Sequence, residues 1–284
     1  MRVSVILPAK NEASGLAGVL EGLMTLENVC EVIVVDDGSE DLTGEIAQQY
    51  GAKVVRHHRS RGNGAAIKTG ARNAVGDWIL FMDADGQHQP SEIPLLINRQ
   101  FETGAEMVVG ARDRAGQSGV PRLLANSIYN KLASVVTGST ILDLTSGFRL
   151  VEKAKFMEFI HLLPNKFSYP TTSTMAFFRA GYAVEYVNVN VKKRIGESHV
   201  KPIKDGLKFL LIIFKIATLY SPLKVFVPFS VFFFVLGLAR YVYTYVSEGT
   251  FTNMSALLMV TAVQVFLIGL VSEQVSAIGY KKPN

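Results

Sequence analysis

The sequence predicts an α/β domain built on a mostly parallel sheet, followed by an amphipathic helix and a two-helix membrane hairpin. Three observations predict it. Short apolar runs alternate with helix-like segments through the first two thirds of the chain, the pattern of βαβ units. Polar clusters stand directly after four of those runs, where the strand ends of a parallel sheet bind ligands. The last quarter becomes a different material, two long and nearly uncharged apolar stretches.

Taken in order, residues 3–7 (Val-Ser-Val-Ile-Leu) read as a first strand and residues 31–35 (Glu-Val-Ile-Val-Val) as a second. Residues 53–56, 78–82 and 106–110 supply a third, fourth and fifth. Helix-like segments fill the gaps at 12–25, 41–50, 63–75 and 91–103. The clusters that follow the strands are "PAKNE" (8–12), "DDGSED" (36–41), "DADGQ" (83–87) and "GAR" (110–112). The "GNGAAIKTG" segment (62–70) is not a P-loop, because Ile67 stands where a glycine must precede the lysine. It reads as a glycine turn opening a helix, or as a loop whose backbone approaches a nucleotide. His88, alone after the acidic cluster, reads as a loop residue.

Composition sets the outer bounds. The chain has 284 residues, 49% hydrophobic and 19% charged, with a net charge of +5. Its sequence pI is about 9.2 and its mean hydropathy +0.25. A single cysteine, Cys30, excludes an intramolecular disulfide. The N-terminal apolar run is too short for a signal-peptide core. Basic residues crowd into "VKKRIGESHVKPIKDGLKF", which abuts the apolar tail and favours an anionic membrane surface or a phosphate ligand over nucleic acid.

Asp83 and Asp85 follow four consecutive apolar residues, and Gln87 follows at the next alternate position. Two like charges at the end of a buried strand repel unless something positive lies between them. Hard oxygen ligands at this spacing suit Mg²⁺ or Mn²⁺ held against a phosphate-bearing substrate.

Together, "VSVILPAKNE", "EVIVVDDGSEDLT", "GNGAAIKTGARNAVGDWILFMDADGQHQP", "VGAR", "LDLTSGFRL" and "FSYPTTSTMAFFRAGYAVEYVNVNVKKRIGESHVKP" resemble family 2 glycosyltransferases. More narrowly they are similar to the dolichol-phosphate mannose synthase group of polyprenyl-phosphate glycosyltransferases. The resemblance covers residues 1 to about 220 and continues loosely into the tail. It implies a GT-A (Rossmann-like) fold, inversion at the sugar carbon, a nucleotide-diphosphate sugar donor, a divalent cation, and a polyprenyl or dolichyl phosphate acceptor. By the same resemblance, Pro8, Lys10 and Glu12 lie at the donor base, and Asp36 and Asp37 at base and ribose. Asp83, Asp85 and Gln87 lie at metal and diphosphate, and Arg112 at the active centre. Ser146, Arg149, Arg194 and Ser198 lie around the acceptor phosphate, with Arg122 as a further member. The catalytic set is then Asp85, Arg112, Arg149 and Arg194. Lys10 stands where the family often has an aromatic residue, which leaves uridine and guanosine both open.

Two absences sharpen the implication. Many relatives with hydroxyl acceptors carry an acidic base after the GFR region, yet "SYPTTSTM" (168–175) has no carboxylate. A hydroxyl needs a base, whereas a phosphate monoester, with a second pKa of about 6, is already an anion at neutral pH. The single tryptophan, Trp78, lies in a strand, so the Gln-x-x-Arg-Trp motif of processive synthases is missing. Two rival readings stand beside this one. One is an inactive nucleotide-sugar-binding scaffold at the membrane. The other is a transferase acting on a hydroxyl acceptor, with Asp143 as the nearby acid that could serve as base.

The chain divides on this reading into a catalytic domain (1–200), an interfacial region (201–222) and a membrane hairpin (223–284). Residues 205–220 carry lysines at 208 and 215 among apolar neighbours, as an interfacial helix does. Residues 225–246, interrupted by Arg240, and 254–271 are each long enough to cross a hydrocarbon core of about 30 Å. Lysines crowd both ends of the hairpin and its connecting loop has none. That places both termini and the catalytic domain in the cytoplasm, with a homo-oligomer through the hairpin as a further option.

Overall fold

The structure, a computed structural model, describes residues 1–112, 120–166, 168–191, 214, 217, 218 and 221–279. Arg194, Ser198 and the expected interfacial helix, apart from residues 214, 217 and 218, lie outside the described residues, as does the Arg122 side chain. The chain forms two compact units, Met1–Ser134 with Ser139–Val200, and Val135–Gly138 with Lys201–Asn284.

The first unit is a seven-stranded sheet. Its strands are β1 (Val3–Ala9), β2 (Val29–Asp36), β3 (Lys53–Arg56), β4 (Trp78–Phe81), β5 (Met107–Arg112), β6 (Arg149–Glu152) and β7 (Val184–Val189). Their spatial order is β3-β2-β1-β4-β6-β5-β7. β6 is antiparallel to both β4 and β5, and every other pairing is parallel. The five strands expected from the apolar runs are present: β1 and β2 run two and three residues longer than expected, β3 matches, β4 ends one residue earlier, and β5 starts one residue later and ends two later.

The helices are α1 (Ala13–Met24), α2 (Thr43–Gln49), α3 (Asn63–Asn73), α4 (Ile93–Thr103), α5 (Val120–Thr137), α6 (Lys153–Glu158) and α7 (Tyr169–Ala180). α1 buries Leu16, Val19, Leu20 and Leu23, at the i, i+3, i+4, i+7 spacing of one helix face. They join Ile93, Leu96 and Ile97 of α4 and the alternate residues Val3, Val5 and Leu7 of β1 in one core. On the opposite face Phe81 packs against Phe156 and Tyr169, with ring centroids 4.8 and 5.8 Å apart.

Two features of this topology open a site. The order of strands reverses between β1, which leads outward to β2 and β3, and β4, which begins the other half. A crevice forms at such a switch point. Pairing between β1 and β4 also stops at Ile6 opposite Phe81, so the two strand ends part beyond it. And because β6 runs against its neighbours, the residues before it, not after it, arrive at the ligand edge of the sheet.

The second unit contains α8 (Pro222–Glu248) and α9 (Asn253–Gly279), an antiparallel hairpin turned at Gly249 (φ 65°). Both are long and apolar enough to cross a membrane, with mean hydropathies of 2.0 and 2.3. The seam between them is built from small residues seven apart. Ser255, Ala262, Gly269 and Ser276 are all buried on α9. Ser230, Gly237 and Thr244 answer them on α8, and the Ser230 hydroxyl donates to the Ala262 carbonyl at 2.8 Å. A seven-residue period keeps one seam facing a partner by left-handed winding, and small residues let membrane helices approach closely. The large side chains point outward instead, with Phe229, Phe232 and Val246 55%, 60% and 81% exposed.

Candidate active site

A cavity of about 370 Å³ opens at the switch point, lined by Pro8, Ala9, Lys10, Glu12, Asp37, Ser60, Gly62, Asn63, Ala66, Asp83, Ala84 and Asp85. It brings together the expected strand-end residues Pro8, Lys10, Glu12, Asp37, Asp83 and Asp85. Four carboxylates and one lysine line it, so a bound cation would lower the repulsion an anionic ligand meets there. Asp83 and Asp85 are the hard oxygen donors that could hold Mg²⁺ or Mn²⁺, ions that share their coordination with water and phosphate oxygens. No cluster of three or more His, Cys, Asp or Glu ligands occurs among the described residues. Gln87 donates its backbone N–H to Asp85 Oδ1 at 3.1 Å and is not part of the cavity lining.

The turn after β1 is held by the turn after β2. Asn11 adopts φ 55°, the left-handed conformation that asparagine tolerates better than most residues. Its N–H donates to Ser39 Oγ (3.0 Å) and its side-chain oxygen accepts from the Glu40 N–H (2.9 Å). The Glu12 N–H donates to Thr43 Oγ1 and the Ala13 N–H to Asp41 Oδ2. These bonds fix Lys10 and Glu12 at the cavity rim. Sequence reasoning did not single out Asn11 or Asp41.

Asp37 organises the facing wall. Its carboxylate accepts from the Arg61 and Gly62 N–H groups and the Ser60 hydroxyl, and pairs with His57 Nδ1 at 2.6 Å. Burial would raise its pKa, but these bonds, His57 first, outweigh burial and hold it below the ordinary carboxylate value. The start of α3 lines the cavity through Gly62, Asn63 and Ala66, and its next two N–H groups are tied to the segment before α7. The Gly64 N–H donates to the Lys166 carbonyl and the Ala65 N–H to the Asn165 carbonyl. A Cβ at Gly64 would lie 2.0 Å from the Pro164 carbonyl oxygen, so only glycine allows this approach. Of the two sequence readings of 62–70, a glycine turn opening a helix is present, with Gly62 at φ 100° before Asn63, and its first residues also line the cavity as the second reading requires.

Arg112 at the end of β5 meets Asp143 as a fork, Nε to Oδ2 at 2.7 Å and Nη2 to Oδ1 at 2.9 Å. Nη2 also reaches Thr145 Oγ1. Burial disfavours the Arg112 charge, yet the bonds and charge of Asp143, with Asp83 adding, raise its pKa above the usual value. For Asp143 burial is again the largest influence, and Arg112 together with the backbone N–H groups of Arg112 and Thr145 overcomes it and lowers the pKa. Gly147 lets the turn before β6 lie against Asp83, because a Cβ there would stand 2.9 Å from Asp83 Oδ2. His88 is buried, stacks on Phe148 at 4.9 Å, and is held neutral by burial, which lowers its pKa to about 4.

Three of the expected site residues, Asp36, Ser146 and Arg149, are buried in the fold. Asp36 is fully buried and outside the cavity lining; it accepts the Ser39 N–H and faces Arg56, which supports the turn after β2. Ser146 is buried with its hydroxyl donating to the Gly110 carbonyl at 2.6 Å. Arg149 is fully buried. Its Nη1 donates to the Pro170 carbonyl (2.9 Å), Ser173 Oγ (2.9 Å) and Thr174 Oγ1 (3.0 Å), and Nε and Nη2 both donate to the Ser146 carbonyl. Its guanidinium ties the start of α7 to the turn before β6.

A switch-point crevice with carboxylates on the ends of β1, β2 and β4 defines the fold of a GT-A-like enzyme. The solved glucosyl-3-phosphoglycerate synthase from Mycobacterium tuberculosis, in complex with Mn²⁺, UDP-glucose and phosphoglyceric acid, shares that fold. Its TM-score is 0.62 at 21% identity, over 76% of this chain and 79% of that one. Residues 4–160 match Glycosyl transferase family 2 and residues 221–278 match the GtrB C-terminal hairpin, so the chain belongs to glycosyl transferase family 2. Among its relatives is an undecaprenyl-phosphate 4-deoxy-4-formamido-L-arabinose transferase of Pectobacterium carotovorum, 26% identical over 97% of this chain and 88% of the relative. A dolichol-phosphate mannosyltransferase of Pyrococcus furiosus is 38% identical over 39% of this chain and 33% of its own length.

Proposed function

We propose that this chain moves a sugar from a nucleotide-diphosphate sugar to a polyprenyl or dolichyl phosphate, with inversion at the anomeric carbon. The observation that carries the reading is the state of Asp143. It is the nearby acid that could act as base toward a hydroxyl, and it is 3% exposed and locked in a fork with Arg112. With its pKa lowered, it is a poor proton acceptor. An acceptor that arrives already ionised needs no base, and a lipid phosphate is such an acceptor. The names of the two relatives agree with that acceptor class.

In this reading Lys10, Glu12 and Asp37 line the donor pocket, and Asp83 and Asp85 hold a divalent ion with Gln87 beside them. The ion, when bound, neutralises charge on the departing diphosphate. Arg112, oriented by Asp143 and partly exposed, faces the reacting centre as a fixed cation. Arg122, Arg194 and Ser198 are assigned to the acceptor phosphate on the resemblance alone. The domain division at residues 200 and 222, the membrane anchor in α8 and α9, and the cytoplasmic placing of both termini complete the proposal, supported by two helices of spanning length and by the lysine distribution.

The test is a product assay with purified full-length chain, Mn²⁺ and a panel of UDP- and GDP-sugars. The acceptor is offered either as lipid phosphate or as the same lipid with a free hydroxyl. Product from the phosphate alone is expected. Product from the hydroxyl lipid would assign the other acceptor class, and no turnover with any donor would leave the scaffold reading.

A further inference from the structure

One side chain in the hairpin stands where a membrane helix does not tolerate it alone. Gln264 lies near the middle of α9, about 16 Å from Asn253 and about 21 Å from Ile278 at 1.5 Å per residue. It is exposed, and its amide has no hydrogen-bond partner among the described residues. In a bilayer that position is hydrocarbon, where an unsatisfied amide costs several kcal/mol. Its side chain is too short to snorkel to either interface. The α8 seam cannot satisfy it, because that seam runs along Ser255, Ala262, Gly269 and Ser276, nearly half a turn away.

Gln264 also belongs to a repeat of its own. Leu257, Gln264, Val271 and Ile278 are seven residues apart, and Leu257, Val271 and Ile278 are 59%, 64% and 68% exposed. Val260 and Leu267, 53% and 52% exposed, fill the intervening positions. An apolar stripe of period seven with one polar residue near its centre is the pattern of a helix–helix seam in which the polar residue fixes register and partner number.

We infer that this outer stripe of α9 is an interface between two copies of the chain, closed at its centre by a Gln264–Gln264 pair. A primary amide is its own complement, since each copy donates one N–H to the other's carbonyl oxygen across a two-fold axis. Copies inserted the same way present Gln264 at the same depth without further adjustment, which a different membrane protein would match only by coincidence. The axis runs along the membrane normal and the two α9 helices lie parallel. This inference rests on the proposed insertion of the hairpin in a bilayer and not on the catalytic reading.

The experiment uses the full-length chain in phosphatidylcholine vesicles. Self-association is followed by single-molecule photobleaching across protein-to-lipid ratios, and co-flotation is scored in the same samples. A dimer is expected, weakened about 3- to 30-fold by Gln264→Leu and largely retained by Gln264→Asn. In a Cys30→Ser background, Leu257→Cys and Val271→Cys should each give a disulfide-linked dimer on oxidation, and Val263→Cys, about 100° round the helix, should not. These arms keep Gln264 intact and so stand apart from any folding defect of the substitutions. A chain that floats but stays monomeric, or a dimer indifferent to Gln264→Leu, overturns the interface and leaves the anchor standing. A chain that does not float overturns both.

Discussion

Arg149 distinguishes a buried clamp from a phosphate ligand by the order in which two substitutions act. Arg149→Met fills most of the volume and removes the charge. It leaves the Ser146 carbonyl, which accepts from both Nε and Nη2, without a donor, a loss of about 1–3 kcal/mol. The Pro170 carbonyl keeps the Ser173 and Thr174 hydroxyls, so it is not orphaned. Relief from burying a cation offsets the loss of the remaining bonds in part. The expected cost is about 1–3 kcal/mol, or a drop in Tm of about 2–12 °C for a unit of this size. Arg149→Lys keeps a charge in the same enclosed space, but one ammonium cannot reach both the Ser146 carbonyl and the start of α7. It should destabilise more, by about 3–5 kcal/mol. The assay is thermal unfolding of both variants together with donor affinity and turnover at low temperature. The clamp requires Met to be milder than Lys in stability and in activity. A phosphate ligand requires the reverse in activity, because lysine still attracts an anion and methionine does not. A near-normal Tm with turnover lost in Met and retained in Lys would refute the buried role.

Two further outcomes follow from the same geometry. Gly147→Ala drives a Cβ to within 2.9 Å of Asp83 Oδ2, so the carboxylate must shift by a few tenths of an ångström; turnover should fall about 10-fold or more with Tm close to the wild type, and unchanged turnover would show that Asp83 has room to spare. Asp37 and Asp143 both have folded-state pKa values below the ordinary 3.8, so the stability they contribute is complete above that value and is lost as pH falls through their lower folded values; thermal midpoints should be flat near neutrality and drop below about pH 4, with a shallower drop in Asp37→Asn.

Much of the fold could be read from the chain because its first five strands are apolar runs ended by polar clusters, and the hairpin is a pair of long uncharged stretches. β6 and β7 were harder. β6 is four residues long and opens on an arginine, and β7 mixes polar and apolar residues without strict alternation. The search for ligand residues just after each strand fits parallel strands and fails for β6, whose contribution comes before it. Cavity residues such as Lys10, Asp37, Asp83 and Asp85 stood out by position. The burial of Arg149 did not, because arginine is rarely fully buried and only the α7 carbonyl and hydroxyls reveal why it can be. The fork between Arg112 and Asp143 joins residues 31 apart and leaves no local signal.

That fork has a consequence for how such a chain can diversify. β5 ends at Arg112 and β6 begins at Arg149, both at the same edge of the sheet, and the two sides of the gap are pinned 2.7 Å apart at Arg112 and Asp143. Everything between is an excursion that leaves and returns through one closed neck. β6 keeps its register from β4 on one side and β5 on the other, whatever the excursion contains. Within the excursion's described part, Tyr129 of α5 is buried and donates to Thr171 Oγ1 of α7, so the positions free to diversify are the exposed ones such as Ile128 and Leu132, whose exchange leaves the sheet, the acidic cavity and the fork intact.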